Sequence, residues 1–143
     1  MTQLIEFSMR HPFLVGATLM AIVALIVNEL RLRSQSGVSV PAQEAVRLMN
    51  QGATVVDVRE ATRFDSGHII DAINVPVAEL KANAEARLKK KRPVVLVCDT
   101  GSSSARLVAS LRQAGFENTW SLDGGHAAWE RDNLPITSTR PRA

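Results

Sequence analysis

Pro93-Val94-Val95-Leu96-Val97-Cys98-Asp99-Thr100-Gly101-Ser102-Ser103-Ser104-Ala105-Arg106 is the stretch whose reading decides the fold. Val94 to Val97 is an unbroken run of β-branched residues and leucine, the composition of a parallel strand buried on both faces. Ala105, Val108, Ala109 and Leu111 then recur at helical spacing. The one cysteine of the chain stands at the joint, at the strand's carboxyl end. Gly101 opens backbone conformations closed to other residues, so a turn here aims successive amide N–H groups at the sulfur, backed by the positive end of the following helix. A loop of this kind favours an anion: a thiolate, a persulfide or a bound oxyanion.

Working outward, the helix after the loop stops at Gln113-Ala114-Gly115, a C-terminal glycine. Asn118–Leu122 is a further apolar segment, Asp123-Gly124-Gly125 a tight turn, and Ala127–Arg131 a last helix before Asn133-Leu134-Pro135. On the other side, Ala78–Lys90 is rich in Ala, Glu, Leu and Lys, which favour helix. A short strand around Ala72–Val75 stops at Pro76, Arg59–His68 reads as a polar loop with one helical turn, and Thr54–Val58 as a strand. Ser39 reads as an N-cap with Pro41 in the first turn of a helix that ends at Asn50-Gln51-Gly52. Strands alternating with helices predict a small α/β domain with a mostly parallel sheet, and ligands bind outside the carboxyl ends of such strands, where Cys98 sits.

The chain has 143 residues, 45% of them hydrophobic, which is room for one packed domain and an appendage. Lys89-Lys90-Lys91-Arg92 is read as a solvated helix end, because no interleaved aromatics accompany it to stack on bases; nucleic acid is not an expected partner. A single cysteine excludes an intrachain disulfide and argues against a metal held by a cysteine cluster. Its free thiol suits a reducing compartment.

From Phe13 to Val27 every residue is apolar, glycine or threonine. Extended over 12–30, the segment reaches roughly 28 Å as a helix, enough for a bilayer's hydrocarbon core. It is apolar all round, no small-residue cleavage site follows, and Arg31 and Arg33 come next, so an uncleaved transmembrane helix is expected. Arg10 alone precedes it, whereas Arg31, Arg33 and Arg47 follow, which places the C-terminal part in the cytoplasm. The expected organisation is an extracytoplasmic stub over 1–11, the span over 12–30, a polar linker over 31–38, the domain over 39–137 and a flexible tail over 138–143, in the inner membrane if the source is bacterial. The lipid bilayer is then a partner, and other membrane proteins are candidates.

Three separated stretches resemble one family, the rhodanese or sulfurtransferase homology domain. Val55-Val56-Asp57-Val58-Arg59-Glu60, Phe64, Gly67-His68-Ile69 and Ala72-Ile73-Asn74-Val75-Pro76 are similar to its first signature. Cys98-x-x-Gly101-x-x-Ser104 resembles its active-site loop, and Leu122-Asp123-Gly124-Gly125, Trp129 and Leu134-Pro135 its closing motif. The resemblance spans about residues 39–137. It implies a three-layer domain on a five-stranded, mostly parallel sheet, and a catalytic Cys98 that carries sulfane sulfur as a covalent persulfide with no other cofactor and no metal. The donor would be a small sulfane-sulfur compound or a protein persulfide, and the acceptor a thiol or cyanide. The chain departs from the family at Ser103, where arginine is common, and at Asp71, where glycine is common. Asp99 is the departure that matters most: a carboxylate beside the sulfur disfavours the thiolate and repels an anionic donor such as thiosulfate.

One cysteine suffices for a two-step relay. The amides from Asp99 to Ser103, and the hydroxyls of Thr100, Ser102 and Ser103, are the expected partners of the persulfide, with Ser104 completing the loop. Asp57 and Arg59 are expected to brace the loop by ion pairing, and His68 to hold its turn with a hydrogen bond rather than to move protons. Arg106 is the nearest sequence-local cation. His126 lies off the family pattern, and Trp120 and Trp129 read as packing. A cysteine phosphatase would need arginine at 104 to grip a phosphate dianion, and the residue is Ser104. The competing reading is a weakly catalytic module that binds other membrane proteins.

Overall fold

The computed structural model describes residues 11–139. The chain divides after Ser34 into two compact units. Helix α1 runs from Pro12 to Ser36. Pro12 opens it without penalty, because its missing N–H is one that a first turn leaves unpaired. The Thr18 hydroxyl donates to the Leu14 carbonyl at 2.8 Å, so the apolar run carries no unsatisfied hydroxyl there. Pro12–Glu29 is long and apolar enough to cross a membrane, and Phe13, Met20 and Leu25 on it are exposed. Residues 31–36, expected to begin a linker, instead continue the helix: nothing from Arg31 to Ser36 breaks it, and the first breaker is Gly37. The expected stub, apart from His11, lies outside the described residues, as do Arg10 and tail residues 140–143.

The second unit contains β1 (Ser39–Val40), α2 (Ala42–Asn50), β2 (Thr54–Asp57), α3 (Ala61–Ser66), β3 (His68–Ile69), β4 (Ile73–Asn74), α4 (Val77–Arg87), β5 (Val94–Val97), α5 (Ser102–Gln113), β6 (Thr119–Leu122), α6 (Gly125–Arg131) and β7 (Ile136–Thr137). Five strands form one sheet in the order β1-β6-β5-β2-β4. All its pairings are parallel. Ser39 is not a helix cap: it is the first residue of edge strand β1 and pairs with Ser121, while Pro41 caps α2. Two residues of strand carry too little periodicity to be told from a cap.

Residues of β5 alternate between two cores. Val94, Leu96 and Cys98 pack with Leu107, Val108 and Leu111 of α5 and with Leu80 of α4. Val95 and Val97 pack with Ala45 and Leu48 of α2 and with Trp129 of α6. Helices therefore cover both faces, which is why the strand needs an apolar residue at every position. Register places Asp57 of β2 opposite Val97 of β5, so the carboxyl ends of the two central strands, and the chemistry they carry, lie side by side. A small antiparallel pair, β3 with β7, ties the C-terminal segment to the end of α3. Asp71 sits at φ 60°, a left-handed position of the kind glycine favours and aspartate tolerates.

Candidate active site

Cys98 continues the β5 alternation and ends up 5% exposed beneath the start of α5. No side chain oxygen caps that helix; its N-cap is Gly101, in the left-handed region at φ 87°. The sulfur takes the cap's place. It accepts hydrogen bonds from the Gly101 N–H at 3.1 Å and the Ser104 N–H at 3.4 Å, two donors a helix start would otherwise leave unpaired. The Ser104 hydroxyl lies 3.2 Å from the same sulfur.

Beneath Ser104 is a second hydroxyl. Ser121 Oγ of β6 is 2.7 Å from Ser104 Oγ, and both residues are fully buried. With an anionic sulfur, one arrangement uses both protons: Ser121 donates to Ser104, and Ser104 donates to Cys98. The Gly101 carbonyl, within 3.1 Å of Ser104 Oγ and 3.3 Å of Ser121 Oγ, keeps the Ala105 N–H as its donor in that arrangement. The Thr100 and Ser102 hydroxyls pair with each other at 3.1 Å. Ser103 is exposed and lines the cavity at the sulfur.

The loop is clamped by backbone. The His126 N–H donates to the Cys98 carbonyl at 2.8 Å and the Ala127 N–H to the Asp99 carbonyl at 3.1 Å. Gly125, at φ 59°, permits this approach: a Cβ there would overlap the Cys98 carbonyl and the Gly101 nitrogen. On the other side, Asp57 and Arg59 form a buried pair. Arg59 Nη2 meets Asp57 Oδ2 at 2.6 Å and the Gly67 carbonyl at 2.7 Å, while the Arg59 N–H donates to Asp57 Oδ1 at 3.0 Å. His68 donates from Nδ1 to the Phe64 carbonyl at 2.7 Å and stacks on the Phe64 ring, with centroids 3.7 Å apart. Arg106 Nε reaches the Ser102 carbonyl at 3.4 Å, and Arg106 lines neither cavity described below.

Asp99 does not stand alone beside the sulfur: its carboxylate meets Arg63 Nη1 of α3 at 2.7 Å. Nothing adjacent in sequence announces that partner, which lies 36 residues away. A cavity of about 320 Å³ opens on Cys98 and is also lined by Arg59, Arg63, Asp99 and Ser103. A neighbouring cavity of about 460 Å³ shares Arg59, Arg63 and Asp99 and adds Thr100, His126 and Glu130. His126 is buried, and its Nδ1 lies 3.5 Å from Glu130. Burial first, and then the Arg59 charge, lower its pKa below the ordinary value, so the ring is neutral at pH 7. Its Nε2 is the one buried side-chain polar atom among the described residues without a hydrogen-bond partner.

Ser121, Arg63, His126 and Glu130 thus join the residues expected from sequence. Of these, Ser121 left a signal, a hydroxyl in an apolar strand. Among the described residues no cluster of His, Cys, Asp and Glu could hold a metal ion.

The geometry agrees with comparison to known proteins. The chain is 34% identical over 139 residues to the uncharacterized protein YibN of Escherichia coli K12, covering 95% of this chain and 97% of that protein. It is 39% identical over 93 residues to the thiosulfate sulfurtransferase GlpE of Pseudomonas savastanoi pv. phaseolicola, covering 63% of this chain and 84% of the relative. The crystal structure of a rhodanese-related protein from Thermoplasma volcanium aligns with TM-score 0.64 and 29% identity, over 69% of this chain and 96% of that one. Residues 41–132 match the Rhodanese family, described as a Rhodanese-like domain, and with strand, loop and clamp all in place the chain belongs to that family.

Proposed function

We propose that this chain is a membrane-anchored sulfurtransferase in which Cys98 carries sulfane sulfur. The observation that carries the reading is the sulfur itself, taking two backbone N–H bonds at the start of α5 and lining an open cavity. An anion at that atom is stabilised by donors already in place, with no reorganisation. In the first step the Cys98 thiolate attacks the sulfane sulfur of a donor. The donor's bond to that sulfur breaks, the remainder leaves with the electron pair, and Cys98 becomes a persulfide anion. In the second step an acceptor thiolate or cyanide attacks the outer sulfur, and the Cys98 thiolate leaves. The relatives named thiosulfate sulfurtransferase, and Arg59 and Arg63 in the cavity wall, support thiosulfate as a donor. A protein persulfide fits the same chemistry.

Anchoring rests on the apolar helix, and a cytoplasmic domain on Arg31 and Arg33 outnumbering Arg10. In a bacterium the membrane would be the inner one. The test is transfer from thiosulfate or a persulfide to a thiol acceptor by the full chain in detergent. The wild type is expected to turn over and Cys98→Ser to remain at background; equal rates overturn the reading.

The low exposure of Cys98 favours a second reading, a module that binds other membrane proteins. That reading expects the biological role to survive Cys98→Ser and to be lost when residues 1–30 are removed.

A further inference from the structure

Lys89-Lys90-Lys91-Arg92 is the only run of consecutive cations in the chain, and the site at Cys98 does not use it. It is not a helix end. Helix α4 stops at Arg87, and the run forms the turn that leads into β5, where the Arg92 N–H donates to the Lys89 carbonyl at 3.0 Å. Lys90 fixes that turn to the domain: its Nζ lies 2.7 Å from Glu85 and 5.5 Å from the centroid of the buried Phe116 ring. Lys89, Lys91 and Arg92 are exposed and form no ion pair among the described residues.

Because β5 is parallel to both its neighbours, this turn stands at the amino end of the sheet and Cys98 at the carboxyl end. The strand between them spans about 13 Å. The chain enters the domain at the amino end too. Only Gly37 and Val38 separate the end of α1 at Ser36 from β1 at Ser39. Register sets Ser39 beside Ser121 and Ser121 beside Leu96, so the approach to β1 comes level with the start of β5, about 10 Å across the sheet. Arg112 pins that approach, donating from Nη1 to the Gly37 carbonyl at 2.9 Å and from Nη2 to the Thr119 carbonyl at 2.8 Å.

The cations at the two ends differ in availability. At the carboxyl end Arg59 and Arg63 are each paired with an aspartate. Beside the turn, Glu79 and Glu85 of α4 are taken by Arg87 and Lys90, which leaves Glu117 against Lys89, Lys91 and Arg92. Tether length decides which anion meets this surplus. With Glu29 at the edge of the hydrocarbon, the rest of α1 rises about 10 Å, against a headgroup layer about 5–8 Å deep. A tether this short keeps the amino end of the sheet near the lipid phosphates, whose field reaches about 8 Å into solution. Nucleic acid fits less well, since Phe116 is buried and Trp120 lies under Arg112, so neither ring offers a free face to a base.

On the membrane-anchored reading, we propose that the Lys89–Arg92 turn docks on anionic phospholipid headgroups. The amino end of the sheet then rests on the membrane, and the cavity at Cys98 opens away from it, towards donors in solution.

The experiment places the full chain in lipid nanodiscs of phosphatidylcholine, with or without about 30% phosphatidylglycerol. Acetic anhydride, an uncharged reagent, acetylates exposed lysines, and peptide mass spectrometry reads each rate. Lys89 and Lys91 are expected to react about fivefold more slowly in the anionic discs, while Lys81, exposed on α4, keeps its rate. About 1 M salt, which shrinks the field's reach to about 3 Å, is expected to remove the difference. Lys91→Gln with Arg92→Gln, two exposed changes, is expected to return Lys89 towards its rate in neutral discs and to leave sulfur loading of Cys98 at the wild-type level. Equal rates in the two discs, or protection that survives salt, overturns the inference alone. Protection in neutral discs by an added RNA oligonucleotide, matching that given by the anionic lipid, assigns the turn to nucleic acid and overturns it as well. A chain that does not enter the discs overturns the anchored reading and the docking together.

Discussion

Asp57 and Arg59 meet at 2.6 Å with 1% and 6% of their side chains exposed; Asp99 and Arg63 meet at 2.7 Å with 49% and 63% exposed. The distances are alike, but the environments give the two pairs different roles. The buried pair has further hydrogen bonds from the Arg59 N–H and to the Gly67 carbonyl, so removing either partner strands a charge out of water, at a cost of about 3–5 kcal/mol. The exposed pair is screened by solvent and contributes about 0–1 kcal/mol. Asp57–Arg59 is the fixed frame of the site. Asp99–Arg63, set where the two cavities share a wall, is a contact that can open at little cost.

The largest expected effect breaks the frame. Asp57→Ala is expected to lose about 3–5 kcal/mol in urea denaturation, and a loss no larger than that of Asp99→Ala would erase the distinction between the pairs. Next comes the backbone clamp, which holds the loop independently of either ion pair. Gly125→Ala is expected to cost about 2–4 kcal/mol, from a left-handed alanine together with overlap onto the Cys98 carbonyl; native stability would show that the loop is held some other way.

Ser121→Ala leaves both pairs intact and removes the donor beneath Ser104. About 1 kcal/mol of stability should go. Alkylation of Cys98 at pH 7 should slow several-fold, and an unchanged rate would remove the hydroxyl relay from the account.

His126 provides a pH test. Its folded-state pKa is lowered, chiefly by burial, so below its ordinary value near 6.5 the unfolded chain binds more protons than the folded one. Stability is therefore full above that value and falls as the pH drops through it towards the folded value. Thermal melts between pH 7.5 and 5.5 are expected to show this loss in the wild type and less of it in His126→Asn; equal slopes would refute the assignment.

The smallest stability effect sharpens the opening contrast. Asp99→Asn should change stability by about 0–1 kcal/mol. It also frees Arg63 and removes a negative charge, so thiosulfate is expected to load Cys98 several-fold faster while a neutral donor does not.

The core of this arrangement is local, and so it was visible in the residues. A strand of apolar residues, a glycine and a helix-spaced run put Cys98 in its loop, and Asp57-x-Arg59 pairs within three residues. What was hidden depends on long-range closure. Arg63 meets Asp99 because α3 folds back beside the loop, and no pattern in Arg59–His68 points there. Asp99 read as an unopposed charge for that reason. Ser121 meets Ser104 because β6 lies next to β5. His126 lies off the family pattern, yet the Gly124-Gly125 turn brings its backbone N–H to the Cys98 carbonyl. The sheet's edge is not legible because β1 is two residues long, and the helix runs on past the apolar span because residues 31–36, though polar, hold no helix breaker.

The central claim, that Cys98 in its cradle of Gly101 and Ser104 carries the sulfur, is tested most directly by intact-protein and peptide mass spectrometry of the full chain after exposure to thiosulfate, polysulfide or a protein persulfide. The account predicts a gain of about 32 Da confined to the peptide containing Cys98, reversed by a thiol and absent in Cys98→Ser. An unmodified Cys98 with every donor would contradict it.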